Sequence, residues 1–179
     1  MTKQELIDYI NKPENGLVQE KTILGITTRV SYKPGQIYAL QEIEASDSIT
    51  KEERTEKLEQ YSNQVYFILS YSQNGKELLS NASDRQWFSK MVNQLAFNMH
   101  ENVLLTSSES DTLQLLDYHY PRMYGMAKSS NIMLAFKAQN KDCDYLKLKV
   151  KDIGLATGDL SFKFLFKDIQ KINKITLKH

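Results

Sequence analysis

The residues best suited to chemistry crowd into one stretch, Asp117-Tyr118-His119-Tyr120-Pro121-Arg122-Met123-Tyr124-Gly125. If the chain from Thr112 to Tyr120 is a strand ended by Pro121, Tyr118 and Tyr120 share one face. Asp117 and His119 then share the other, where the carboxylate could orient the imidazole. Tyr and Arg give large contact area at low entropy cost. Tyr118, His119, Tyr120, Arg122 and Tyr124 therefore form the candidate ligand- or partner-binding set. The competing use of these rings is to cover a sheet edge, with Arg122 paired to a nearby acid. Catalysis by His119 would need a carboxylate or nucleophile within hydrogen-bond reach, and no nucleophile is visibly partnered with it.

Other chemistry finds little support. The single Cys143 excludes an intrachain disulfide and a thiolate zinc site. Asp142 and Asp144 flank it and should raise its thiol pKa, which disfavours a nucleophile. His100, His119 and His179 form no close pair of metal-ligand spacing. There is no GxSxG elbow, GxGxxG or GxxxxGK[ST]. Gly154-Leu155-Ala156-Thr157-Gly158-Asp159 reads as a turn, because a strand follows where a phosphate site needs a helix N-terminus. Asp111 with Asp117, or Glu42 with Glu44, could pair, but nothing singles either out. No catalytic residue, metal or cofactor is expected, and the balance lies against an enzyme.

These residues must be held by a scaffold. Residues 1–12 read as a helix with a Thr2–Glu5 capping box. Residues 17–24 and 26–33 read as strands, with Gly25 as a bend or bulge. Gln36 to Glu44 favours a helix. Thr50 to Glu53 is a second capping box opening a polar helix to about Gln60, supported by a Glu53–Lys57 pair. Gln64 to Tyr71 is a strong strand, Asn74-Gly75 a type I′ turn, and Lys76 to Leu79 a brief return. Ser83 to Gln86 is a third capping box. It starts an amphipathic helix at about 84–99, with Trp87, Phe88, Met91, Val92, Leu95 and Met99 facing the core. Strands follow at Val103–Leu105, Thr112–Tyr120 and Asn131–Lys137. Two more run over Tyr145–Lys151 and through Phe162, Phe164 and Phe166, so the last third reads as all-β. This segregation predicts a single α+β domain over 1–179. It should be mainly antiparallel sheet or sandwich, with an N-terminal helix and the 84–99 helix packed on the sheet. Residues 1–60 supply a helix–hairpin–helix part and 61–179 the β-rich part.

Composition agrees. The 179 residues are 41% hydrophobic and 25% charged, which excludes a disordered chain. The net charge of +1 is a cancellation: residues 1–60 and 61–120 each carry −3, and 121–179 carry +7. The basic third suggests an anionic partner. Its lysines, however, alternate with apolar residues as on a solvated sheet face, and Arg122 is its only arginine. Nucleic acid is therefore a poor fit, and a protein or glycan partner is expected.

No apolar run reaches the 18 residues of a transmembrane helix, and Met1 to Glu5 carry no secretory leader. Four stretches, Lys33-Pro34, Asn74-Gly75-Lys76-Glu77, Tyr120 to Met126 and Asp152 to Gly158, resemble the mature parts of uncharacterised cell-envelope lipoproteins of Bacteroides-like bacteria. The resemblance implies export and anchoring by a lipidated Cys upstream of Met1. It implies no activity, and no functional residue transfers. The expected function is thus a non-enzymatic binding or structural module, the soluble part of an envelope lipoprotein. One alternative is an enzyme using His119 with an acidic partner. Another is a cytoplasmic polyanion-binding protein using the Lys-rich C-terminal strands.

Overall fold

Among the described residues, period-two runs of apolar residues build ten strands, and six α-helices frame them. The structure is a computed structural model that describes residues 1–46, 48–80, 82–123, 125–139 and 142–175. In chain order the strands are β1 (Val18–Ile23), β2 (Ile26–Lys33), β3 (Gln64–Gln73), β4 (Lys76–Glu77), β5 (Val103–Ser107), β6 (Thr112–Leu113), β7 (Leu115–His119), β8 (Ser130–Lys137), β9 (Tyr145–Val150) and β10 (Leu160–Leu165). The helices are α1 (Lys3–Asn11), α2 (Gln36–Glu44), α3 (Lys51–Ser62), α4 (Arg85–Phe97), α5 (Met99–Asn102) and α6 (Phe166–Asn173). One sheet runs β1-β2-β3-β8-β7, with β4 paired to β3, and the other runs β10-β9-β5-β6. Every pairing is antiparallel. The fold is α+β, as the segregated pattern predicts.

Alternation decides the interior. Strand β3 buries Val65, Phe67, Leu69 and Tyr71, and β8 buries Ile132, Leu134 and Phe136 beside them. From the second sheet, Leu146, Leu148, Val150, Phe162 and Phe164 face the same core. The sheets meet where Phe67 lies 5.0 Å from Phe164, centroid to centroid. Phe67 also takes the edges of Tyr32 at 5.7 Å and Phe136 at 6.4 Å. Such pairs add about 0.5–1.5 kcal/mol beyond area burial.

Local signals set the helix starts. Thr2 with Glu5, and Thr50 with Glu53, form reciprocal capping boxes. Helices α2 and α3 pack closely through Tyr38, Tyr61 and Tyr66 of β3. Gly35 makes that approach possible, since a Cβ there would sit 2.2 Å from the Tyr61 carbonyl oxygen. Burial pushes the Tyr66 hydroxyl up to about 12, with the Glu42 carboxylate adding to it.

Several expectations are corrected. The N-cap of α4 is Asp84 rather than Ser83, because the Asp84 carboxylate accepts from the N–H groups of Gln86 and Trp87. The long helix stops at Phe97, and Met99 belongs to the separate short turn α5. Of the bend or bulge expected at Gly25, the bend is what forms: Leu24-Gly25 is the tight turn of the expected hairpin, with φ of 50° and 78°. Lys57 also forms an ion pair with Glu42 of α2 at 2.6 Å. The run 112–120 is two strands: β6 pairs in one sheet and β7 in the other, with Gln114 as the crossing. The last third is not all-β. Phe166 donates one more ladder-like bond to the Asp144 carbonyl at 2.9 Å, and the chain then turns into α6, burying Ile169 and Ile172.

Candidate functional site

The register of β7 sorts the chemistry-bearing stretch. Tyr118 stands opposite the inward Leu134, and His119 opposite the outward Met133. Asp117 and His119 share the outer face, as the alternation requires. They form no ion pair: Asp117 accepts from the N–H of Tyr118 at 2.8 Å, and His119 is exposed without a hydrogen-bond or ion-pair partner among the described residues. Tyr118 is a packing residue here. Its hydroxyl donates to the Ala96 carbonyl at 3.3 Å, and its ring stacks on His100 at 6.4 Å. Tyr124 lies outside the described residues.

Tyr120 and Arg122 are brought together. They line a cavity of about 490 Å³ with Lys76, Glu77, Leu79, Ser80, Phe88, Met123 and Gly125. Three elements build it. The Asn74-Gly75 turn, with Asn74 at φ 52° and Gly75 at φ 73°, reverses the chain so that β4 delivers Lys76 and Glu77. The first turns of α4 extend past the core and present Phe88, which is 37% exposed. Pro121 ends the sheet edge, and Gly125, at φ 78°, turns the chain back over the opening.

Glu77 holds this arrangement together. It is 3% exposed, and its carboxylate accepts the Gly125 N–H. Its own carbonyl accepts the Ser80 hydroxyl at 2.7 Å. Nearby, the Ser130 hydroxyl accepts the Leu78 N–H at 3.1 Å. Burial raises the Tyr120 pKa, with the Glu77 charge adding to the rise and Ser130 and Arg122 opposing it. Arg122 is exposed and makes no ion pair among the described residues, so its guanidinium remains available to a ligand. Phe88 and Met123 give the lining an apolar character.

The cavity thus offers an apolar wall, a buried carboxylate and two cationic side chains, Lys76 and Arg122. It has the make-up of a recognition site. Phe88, expected to face the core, is exposed at the cavity instead, and Glu77 and Lys76 join it without being candidates from the sequence. The only local hint was an acidic residue between a tight turn and the apolar Leu78-Leu79.

A second cavity of similar volume lies between the β1–β2 turn and the β9–β10 loop, lined by Leu24, Trp87, Leu155 and Ala156. The Asp84 carboxylate at its edge is already used by the α4 N–H groups. The β9–β10 loop is organised by Asp152, whose carboxylate accepts from the N–H groups of Leu155 at 2.7 Å, Gly154 at 2.9 Å and Gly158 at 3.1 Å. Burial works to raise the Asp152 pKa, but those bonds outweigh it and the net shift is downward. Burial raises the Cys143 thiol, and the charges of Asp144 and Glu109 add to that. Among the described residues no three His, Cys, Asp or Glu side chains converge as metal ligands do, and no helix is long and apolar enough to cross a membrane.

No family model matches the chain, and no curated protein matches it. Among solved structures it is similar to a DUF4426 family protein from Pseudomonas aeruginosa PAO1, at 6% identity over 83% of this chain and 91% of that one, with a TM-score of 0.42.

Proposed function

We propose that the chain is a non-enzymatic binding module, the soluble part of a cell-envelope lipoprotein, and that its ligand enters the cavity beside β4. The observation that carries the binding part is the meeting of Tyr120 and Arg122 with Glu77, Phe88 and Met123 in one cavity of about 490 Å³. The ligand group that fits is amphipathic. Its apolar part lies on Phe88 and Met123, and its anionic or hydrogen-bonding end reaches Arg122 and Lys76. Such a group occurs on a peptide or glycan partner. The envelope part is supported by the resemblance of the turn and strand-end motifs.

An anionic naphthalene dye, anilinonaphthalene sulfonate, has this chemistry and reports its own binding by fluorescence. Saturable binding is expected, and the Tyr120→Ala/Arg122→Ala variant should stay folded by circular dichroism while losing it. Undiminished binding by the folded double variant overturns the assignment. Unfolding of that variant at ambient temperature assigns the cluster to the core instead. The coding sequence upstream of Met1 tests the envelope part. A signal peptide ending in a lipidation Cys is expected, and an in-frame start at Met1 counts against it.

A further inference from the structure

The outer face of the second sheet carries a flat basic surface that the cavity does not use. Strand β9 points Lys147 and Lys149 outward, on the face opposite the buried Leu146, Leu148 and Val150. Register places Lys163 of β10 directly beside Lys147. On the other side of β9, Lys149 has Leu104 of β5 as its neighbour and Lys147 has Thr106. The next row pairs Leu165 with Tyr145. Leu104 and Leu165 are large apolar side chains left 41% and 39% exposed on this face.

Among the described residues Lys147, Lys149 and Lys163 form no ion pair. Three acids close by in sequence are turned to other tasks: Asp152 to its own loop, Asp159 to the Asp152 N–H at 3.0 Å, and Glu101 toward His100 at 3.7 Å. Like charges directly opposite on a sheet cost stability. An anionic surface offsets that repulsion, and Leu104 and Leu165 give the same face apolar side chains that could enter it.

We infer that this face docks on an anionic lipid bilayer, with the three ammonium groups at headgroup level and Leu104 and Leu165 entering the interface. Three observations favour a bilayer over a nucleic acid. The face is the open side of a sheet and none of the cavities described opens on it, whereas single strands are tracked by grooves. All three charges are ammonium point charges with no guanidinium fork among them. The one aromatic ring present, Tyr145, is covered by the Lys163 ammonium at 3.9 Å and is not free to stack on a base. The inference is independent of the cavity reading.

Co-sedimentation with vesicles tests it. The chain should bind phosphatidylglycerol–phosphatidylcholine vesicles at low salt, release at high salt, and ignore pure phosphatidylcholine. Each Lys→Gln change should lower the partition about fivefold, and Lys147→Gln/Lys149→Gln/Lys163→Gln about a hundredfold. Leu104→Ser/Leu165→Ser should weaken vesicle binding while leaving retention on heparin unchanged. Tyr120→Ala/Arg122→Ala should bind vesicles as the parent does, which keeps this result separate from the fate of the cavity. Thermal melts establish that each variant is folded, and if the triple variant is not, the single Lys149→Gln change carries the test. Absence of vesicle binding at low salt overturns the inference. So does undiminished binding by the lysine variants, or binding to heparin or an oligonucleotide without binding to vesicles.

Discussion

The side-chain amide of Gln19 spans the backbone of Lys163. Its Nε2 donates to the Lys163 carbonyl, and its Oε1 accepts the Lys163 N–H at 3.3 Å. Beside it, the Lys21 ammonium donates to the Ser161 carbonyl at 2.8 Å. Strand β10 is the outer strand of its sheet, so these groups would otherwise offer a free edge. Two side chains of β1 thus close the edge and join the two sheets at the same place.

Gln19→Ala should therefore cost about 1–2 kcal/mol, the worth of two hydrogen bonds to one amide. It should also reopen the edge. Urea denaturation reads the first effect and light scattering at high concentration the second. Unchanged stability together with unchanged solubility would show that the bridge contributes nothing.

Glu77 should prove structural for the cavity. Glu77→Ala removes the acceptor of the Gly125 N–H and should cost about 1.5–3 kcal/mol, as for a bond to a charged group. Residues 121–126 should then be cleaved faster by a broad-specificity protease. Glu77→Gln retains a carbonyl acceptor and should restore most of the protection. Equal cleavage of all three proteins would remove Glu77 from this role.

Gly35 is constrained by space, since its φ of −57° suits any residue. A methyl group there meets the carbonyl of Tyr61 and the ring of Tyr66 at 3.2 Å. Gly35→Ala should destabilise the chain by about 1–3 kcal/mol, the usual cost of overpacking. The ordinary expectation for removing glycine flexibility is a small gain. A measured gain in denaturation midpoint would contradict the close packing of α2 on α3.

Asp152 supplies a pH dependence of known sign. Its folded pKa lies below the ordinary value of 3.8, so the folded state favours the charged form. The stabilisation is complete above that ordinary value and disappears as pH falls through the folded one. Asp152→Asn should cost about 1 kcal/mol near neutrality. The gap to the parent should stay constant down to about pH 5 and then close below about pH 4. A gap independent of pH through that range would mean the charge is not what the loop N–H groups hold.

Much of the scaffold was legible because it rests on local chemistry. Thr2 with Glu5, Thr50 with Glu53 and Asn74-Gly75 each act within four residues, and the alternation of Leu146, Leu148 and Val150 marks one face directly. The errors have physical causes. Phe162, Phe164 and Phe166 keep a strand period, but Phe166 is also the first residue of α6, whose buried face needs only Ile169 and Ile172. Thr112 to Tyr120 looks continuous, and only the two sheets decide that it divides at Gln114. In the site, Tyr120 and Arg122 announced themselves by type. Glu77 and Phe88 join them from more than thirty positions away in the chain, a meeting made by β4 and α4 that no local pattern encodes.

The crossing at Gln114 bears on how the chain must fold. Its carbonyl accepts the Lys137 N–H at 2.8 Å, pinning the crossing to the end of β8. One sheet draws on residues 18–77 and again on 115–137, the other on 103–113 and again on 145–165. Neither can be completed by a continuous stretch, because each waits for a segment made after part of the other. Strands β5 and β6 are made before the first sheet is complete, and they must wait for β9 and β10 to find their partners. Loop closure must precede most of the favourable pairing, which places refolding in the slow range of milliseconds to seconds typical of non-local β topologies. A chain cut anywhere between β5 and β8 leaves two halves that each hold parts of both sheets, and they should regain structure only when mixed.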